Sequence, residues 1–138
     1  MKSFTLKLVT PLKTLFDQPV EEVAIPTSLG EITVLPNHIP LVGVVVPGEL
    51  RVKSEGQQFP LVVFGGILQF VEGTLTILAD AAQHADEIDL DAAEKATAEL
   101  IAKLEDKAHM DTATYEILVR DLERERMKLR ISRKWKKV

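Results

Sequence analysis

The chain of 138 residues has no cysteine, and beyond Gly73 it has neither glycine nor proline. Without cysteine there is no disulfide framework and no thiolate metal site, which we read as fitting a cytosolic protein. No apolar run approaches the roughly 20 residues that a bilayer-spanning helix needs. Met1-Lys2-Ser3-Phe4 leads straight into alternation, so neither a secretory signal nor a transit peptide is expected. Catalytic signatures are missing too. Gly65-Gly66 lies between two apolar runs and lacks the lysine and following helix of a phosphate-cradling loop. Ser3, Ser28, Ser54 and Ser132 have no nucleophile-elbow context. His38, His84 and His109 are so far apart that a zinc site would require the fold to gather them. His38, between Asn37 and Ile39, reads as a loop residue hydrogen-bonded to backbone.

What is present is strongly divided. All seven glycines and all seven prolines lie at or before Gly73, so the two strongest breakers of regular structure stop there. The formal charge of −4 is divided as well. Residues 1–86 carry five basic and nine acidic side chains, and residues 87–119 carry three and nine. Residues 120–138 reverse the sign, with nine basic against three acidic. Such blocks mark electrostatic partners more often than they mark a fold.

The pattern predicts a β-rich body over 1–86 and a helical arm over 87–138. In the body, Phe4, Leu6 and Leu8 alternate with Thr5, Lys7 and Val9, as in a half-buried strand. Further short runs follow at Val20–Ile25, Glu31–Leu35, Leu41–Val46, Glu49–Lys53, Phe59–Phe64, Ile67–Val71 and Thr74–Ala79, separated by Pro and Gly turns. Eight or so strands at this spacing indicate an antiparallel sandwich or barrel. Pro60 inside a run marks an edge strand or a late start.

In the arm, Asp89 or Asp91 can cap a first helix, and Asp91 with Glu94 matches a capping box. Ala93, Ala96, Leu100, Leu104 and Ala108 recur on one face, and small alanines let a second helix approach closely. Asp111 can cap that second helix, whose stripe is Tyr115, Leu118, Leu122 and Leu129. Glu125 or Arg126 interrupts the stripe, which predicts weak pairing at the hairpin's far end. The turn Lys107-Ala108-His109-Met110 has no glycine to fix a helix stop, so closed and extended arms should differ little in free energy. Arg120, Arg124, Arg126, Lys128, Arg130, Arg133, Lys134, Lys136 and Lys137 lie opposite the stripe. A solvated helix end accounts for part of this charge, since cations suit a helix C-terminus, but not for nine bases against three acids.

Four ordered segments are recognisable. They are Thr10-Pro11 with Leu15-Phe16; Gly30-Glu31-Ile32-Thr33-Val34-Leu35-Pro36-Asn37-His38-Ile39-Pro40-Leu41; Gly65-Gly66-Ile67-Leu68 before Thr76 to Ala82; and Ala85-Asp86-Glu87-Ile88-Asp89. Together they resemble the epsilon subunit of F-type rotary ATP synthases, nearly end to end. The resemblance implies a sandwich of about ten antiparallel strands followed by a two-helix hairpin. It implies a non-catalytic place in the central stalk, where the sandwich grips the gamma subunit and rests on the c-subunit ring. Through that complex the chain would lie at the inner membrane, on its cytoplasmic side, and serve proton-coupled ATP synthesis. Glu31, Ile32, Pro36, Asn37 and His38 become the candidate contacts to ring and gamma. Without the resemblance, Glu31 reads rather as a solvated turn carboxylate.

In bacterial members of this family the arm folds back or extends along gamma, where its basic helix meets acidic loops of the beta subunits, beside alpha, and blocks ATP hydrolysis. The residues carried over to that role are Arg120, Arg124, Arg126, Lys128, Arg130, Arg133 and Lys134. Some relatives also hold ATP through an Ile/Leu-Asp-x-x-Arg-Ala motif aided by second-helix arginines. Here Ile88-Asp89-Leu90-Asp91-Ala92-Ala93 puts Ala92 where the motif has arginine. Alanine supplies no charge-assisted partner, so Ile88, Asp89, Ala93, Arg120 and Arg124 should bind nucleotide weakly or not at all, and no cofactor is expected. The rival reading is a nucleic-acid-binding module with Trp135 stacked among Lys and Arg. The chain's pI of about 5.4 speaks against it.

Overall fold

The computed structural model describes residues 2–106 and 109–135. It divides into two compact units, Met1–His84 and Ala85–Val138. The first contains eight strands: β1 (Phe4–Val9), β2 (Thr14–Val20), β3 (Glu22–Thr27), β4 (Gly30–Val34), β5 (Leu41–Ser54), β6 (Gln57–Val71), β7 (Thr74–Ala79) and β8 (Ala82–His84). Their order is β2-β1-β7-β6-β5-β3-β4, with β8 beside β6.

Among the described residues the strand count is eight rather than about ten, because Pro47-Gly48 and Gly65-Gly66 lie inside strands without ending them. Each of β5 and β6 therefore holds two of the expected runs, and the β5–β6 ladder keeps its register past these residues, pairing Val45 with Gly66 and Pro47 with Phe64. Gly66 has φ +148°, and a Cβ there would lie 2.2 Å from the Leu78 carbonyl oxygen, so only glycine fits. Pro60 is an internal residue of β6 opposite Arg51. β2 was not expected as a separate strand. It carries Pro19 and exposes most of its side chains, as an end strand of the sheet can. The pairing is not wholly antiparallel, for β1 runs parallel to β7.

One apolar core serves the whole unit, from Phe4, Leu6 and Leu8 of β1 through Leu50 and Val52 of β5, Leu61 and Leu68 of β6, to Leu75 and Ile77 of β7. Phe4 meets Phe70 edge to face at 5.6 Å between centroids. Each fully buried Leu or Ile contributes about 1.5–3 kcal/mol relative to exposure.

The second unit begins with a 3-10 turn, Ala85–Glu87, then α1 (Leu90–Leu104) and α2 (Thr112–Trp135). Asp89 caps α1, its Oδ1 accepting the Ala92 N–H at 3.1 Å. Asp111 likewise accepts the Thr114 N–H at 2.7 Å. α1 stops at Leu104 with Glu105 as its C-cap in ordinary helical conformation, without glycine. Lys107 and Ala108 of the expected turn, like Lys136 and Lys137, lie outside the described residues. Weak pairing was expected at the far end of the hairpin, and two side-chain ties lie there, Arg133 to Glu94 of α1 at 2.8 Å and Ser132 to the Ala85 carbonyl. Leu122, Met127, Leu129, Ile131 and Ser132 are buried, whereas Tyr115 and Ile117 near the turn are exposed. The stripe reading missed Met127 and Ile131, because α2 buries a wider face at that end than one helical row describes.

Candidate subunit-docking surfaces

Register defines one surface of the sandwich, and the candidate residues fall on a second and on one surface of the hairpin. The first follows from register. Val44 of β5 pairs with Ile67 of β6, Ile67 with Leu78 of β7, and Leu78 with Val9 of β1. Directly paired residues on neighbouring strands point to the same face. Val44, Ile67 and Leu78 are 53%, 54% and 49% exposed, and Val42, two residues away on β5, is 79% exposed. An outward face should carry polar side chains; here four strands set aliphatic ones side by side. A contiguous exposed apolar row of this kind marks an interaction surface. Sequence reading missed it, since runs such as Leu41–Val46 looked continuously apolar and gave no sign of which members faced out.

The second surface is the segment from Glu31 to His38. Glu31 and Ile32 lie on strand β4, not in a turn. The Thr27 hydroxyl closes the preceding β3–β4 hairpin, donating to the Gly30 carbonyl at 2.5 Å and accepting the Leu29 N–H. Across β3, the Arg51 guanidinium of β5 donates to Glu31 at 2.7 Å and to Glu49 at 3.3 Å. The hydrogen bond to Glu31, with the two carboxylates' charges, raises the Arg51 pKa above its ordinary value against the opposing effect of burial. Glu31 is thus an ion-paired strand carboxylate held toward solvent, not a freely solvated one. Ile32 packs partly against the core. Pro36 and Asn37 form a turn in which Asn37 adopts φ 68°, a conformation asparagine tolerates better than most residues. His38 donates its backbone N–H to Leu35, shares a 2.7 Å hydrogen bond between Nδ1 and the Ile39 carbonyl, and sets its ring 6.0 Å from that of Phe70. The other histidines have separate local partners: His84 lies against the Phe16 ring, and His109 pairs with Asp106 at 3.4 Å.

The third surface belongs to α2. Arg126, Arg130, Arg133 and Lys134 gather around Leu129, lining a shallow cleft of roughly 420 Å³. Arg133 donates to Glu94 of α1 at 2.8 Å, and Lys128 pairs with Glu125, also at 2.8 Å. Arg120 is exposed and Arg124 half-buried. Of the residues proposed for nucleotide, Ile88 and Ala93 are buried, and one Asp89 carboxylate oxygen already serves the helix cap. No three His, Asp or Glu side chains come together as a metal site among the described residues.

The fold and these surfaces define a class: a small β-sandwich with an antiparallel helical arm, outfitted for docking. The family described as "ATP synthase, Delta/Epsilon chain, beta-sandwich domain" matches residues 3–85. The ATP synthase epsilon chain of Pelotomaculum thermopropionicum is 40% identical over 95 residues, spanning 69% of this chain and 71% of that one. The epsilon chain of a Cyanothece species is 32% identical over 128 residues, spanning 92% and 93%. Among solved structures, a chain of the Euglena gracilis mitochondrial ATP synthase, OSCP/F1/c-ring, superposes with a TM-score of 0.71 at 27% identity, covering 96% of this chain and 79% of that one. A chain of the Tetrahymena thermophila central stalk and c-ring shares the fold, at a TM-score of 0.60 and 13% identity. The chain belongs to the ATP synthase epsilon chain family.

Proposed function

We propose that this chain is a non-catalytic rotor subunit of the central stalk, joining gamma to the c ring in a proton-driven ATP synthase. The apolar row Val44–Ile67–Leu78 carries the proposal, because it is the surface a sandwich with a polar exterior would not otherwise expose. Gamma is its occupant. The segment Glu31, Ile32, Pro36, Asn37 and His38 faces the polar loops of the c ring, with Glu31 presented by Arg51. Residues 1–86 form the anchor and residues 87–138 the regulator. Through the complex the chain lies peripherally on the cytoplasmic face of the inner membrane, and no helix among the described residues is long and apolar enough to cross a membrane.

The arm inhibits ATP hydrolysis. When extended, Arg120, Arg124, Arg126, Lys128, Arg130, Arg133 and Lys134 meet acidic surfaces of beta and alpha; long-range attraction of this kind weakens with salt. Nucleotide control of the arm is weak or absent, since Ala92 offers no guanidinium and Asp89 is committed to its cap. Two experiments test the reading. Co-purification should recover gamma and the c ring with the full chain. Truncation after Ile88 should raise ATPase activity of the reassembled complex; unchanged activity and latency would remove the inhibitory role.

A further inference from the structure

Two side-chain ties join α2 to the start of the arm, at the end of the hairpin away from its turn. Near the turn, Ala102, Lys103, Asp106, Asp111, Thr114 and Leu118 line an open cleft of roughly 580 Å³. At the opposite end, Ser132 is 0% exposed, and its hydroxyl lies 3.4 Å from the carbonyl oxygen of Ala85, in the 3-10 turn before α1. One residue on, Arg133 donates to Glu94 in the first turns of α1 at 2.8 Å. Two adjacent residues of α2 thus tie its last turns to the root of the arm, one to backbone and one to a carboxylate.

We infer that Ser132 and Arg133 form a latch that holds the hairpin closed at its root, and that α2 is released from that end. The hydrogen bond of Ser132 is long, so its main contribution is fit. A side chain with no solvent exposure leaves no room for a larger or charged replacement, and its buried hydroxyl has to keep a partner. The ion pair is exposed on both sides and contributes direction more than strength. Arg133 belongs to the same basic cluster as Arg126, Arg130 and Lys134. A carboxylate on a partner protein therefore competes with Glu94 for one guanidinium. Engaging that partner and unfastening the hairpin become a single exchange of acids. The consequence of opening for the motor rests on the inhibitory reading above.

The test uses the full chain, in which no native cysteine interferes with labelling. Spin labels at Glu99→Cys and Glu123→Cys, both exposed, report the distance between α1 and α2. The parent should give one short, narrow distribution. Ser132→Trp should shift it to longer, broader distances. Glu94→Arg should broaden it, and adding Arg133→Glu should restore the parent distribution. A parent-like distribution in Ser132→Trp overturns the latch, and so does a charge swap that fails to restore what Glu94→Arg lost. The swap keeps the test decisive even if tryptophan prevents α2 from folding. In the reassembled complex the opened variants should change ATP hydrolysis at least twofold. Opening without that change leaves the latch standing and removes the inhibitory reading.

Discussion

The two units are built on opposite terms. In Met1–His84, side chains from β1 to β7 share one core, and the contacts that close it join residues far apart in sequence, as where Phe4 meets Phe70. In Ala85–Val138, most order is local: helical hydrogen bonds, the caps Asp89 and Asp111, and a seam buried chiefly at one end. Free energy of opening follows burial, so the sandwich should open only with the whole unit, and the hairpin at a small fraction of that cost. The difference suits an anchor joined to a switch.

The sharpest way to break the comparison is to truncate one leucine in each unit. Leu61→Ala, at a site with no exposure, should cost about 2–5 kcal/mol in denaturant unfolding. Leu104→Ala, half-buried in α1, should cost under about 1 kcal/mol. Equal costs would mean that the arm is as firmly built as the body. Gly66→Ala should come next, at more than about 1 kcal/mol, because its methyl group would strike the Leu78 carbonyl oxygen. Thermal melts read this directly.

A smaller effect concerns the caps. The hydrogen bonds from Thr114, side chain first and then backbone, hold the Asp111 carboxyl below its usual pKa. A depressed carboxylate contributes stability that is fully present above its unfolded pKa and lost as pH falls through the folded one. Far-UV circular dichroism should therefore show α2 fraying at its N-terminus in acid, below about pH 4. Asp111→Asn should retain the cap and remove that pH dependence. Smallest of all, Arg51→Ala should change stability by only about 0–1 kcal/mol, since Glu31 is half exposed. If Glu31 contacts the c ring as proposed, the same variant should weaken c-ring association.

Much of this division was legible in the sequence, for definite reasons. The disappearance of Gly and Pro after Gly73 separates body from arm, and Asp89 and Asp111 announce their helices because a short carboxylate can reach N–H groups three residues on. Leu122 and Leu129 sit on the buried side as their spacing requires. What escaped depends on distant chain. β2 is an exposed end strand with a proline, recognisable only once β1 lies beside it. The unbroken length of β5 and β6 depends on a ladder that runs past Pro47-Gly48 and Gly65-Gly66. The apolar row needs the register of four strands before its members line up. Ser132 meets Ala85 across 47 residues, and Arg51 meets Glu31 across 20. No local period reports such pairs.

The central claim is that the exposed aliphatic row anchors the chain to gamma, and Ile67→Asp tests it most directly. Ile67 is exposed, so the substitution should leave the sandwich's melting temperature within a few degrees of the parent. It should also abolish co-purification with gamma. If the variant folds normally and retains gamma as the parent does, the row is not the anchor and the account is contradicted.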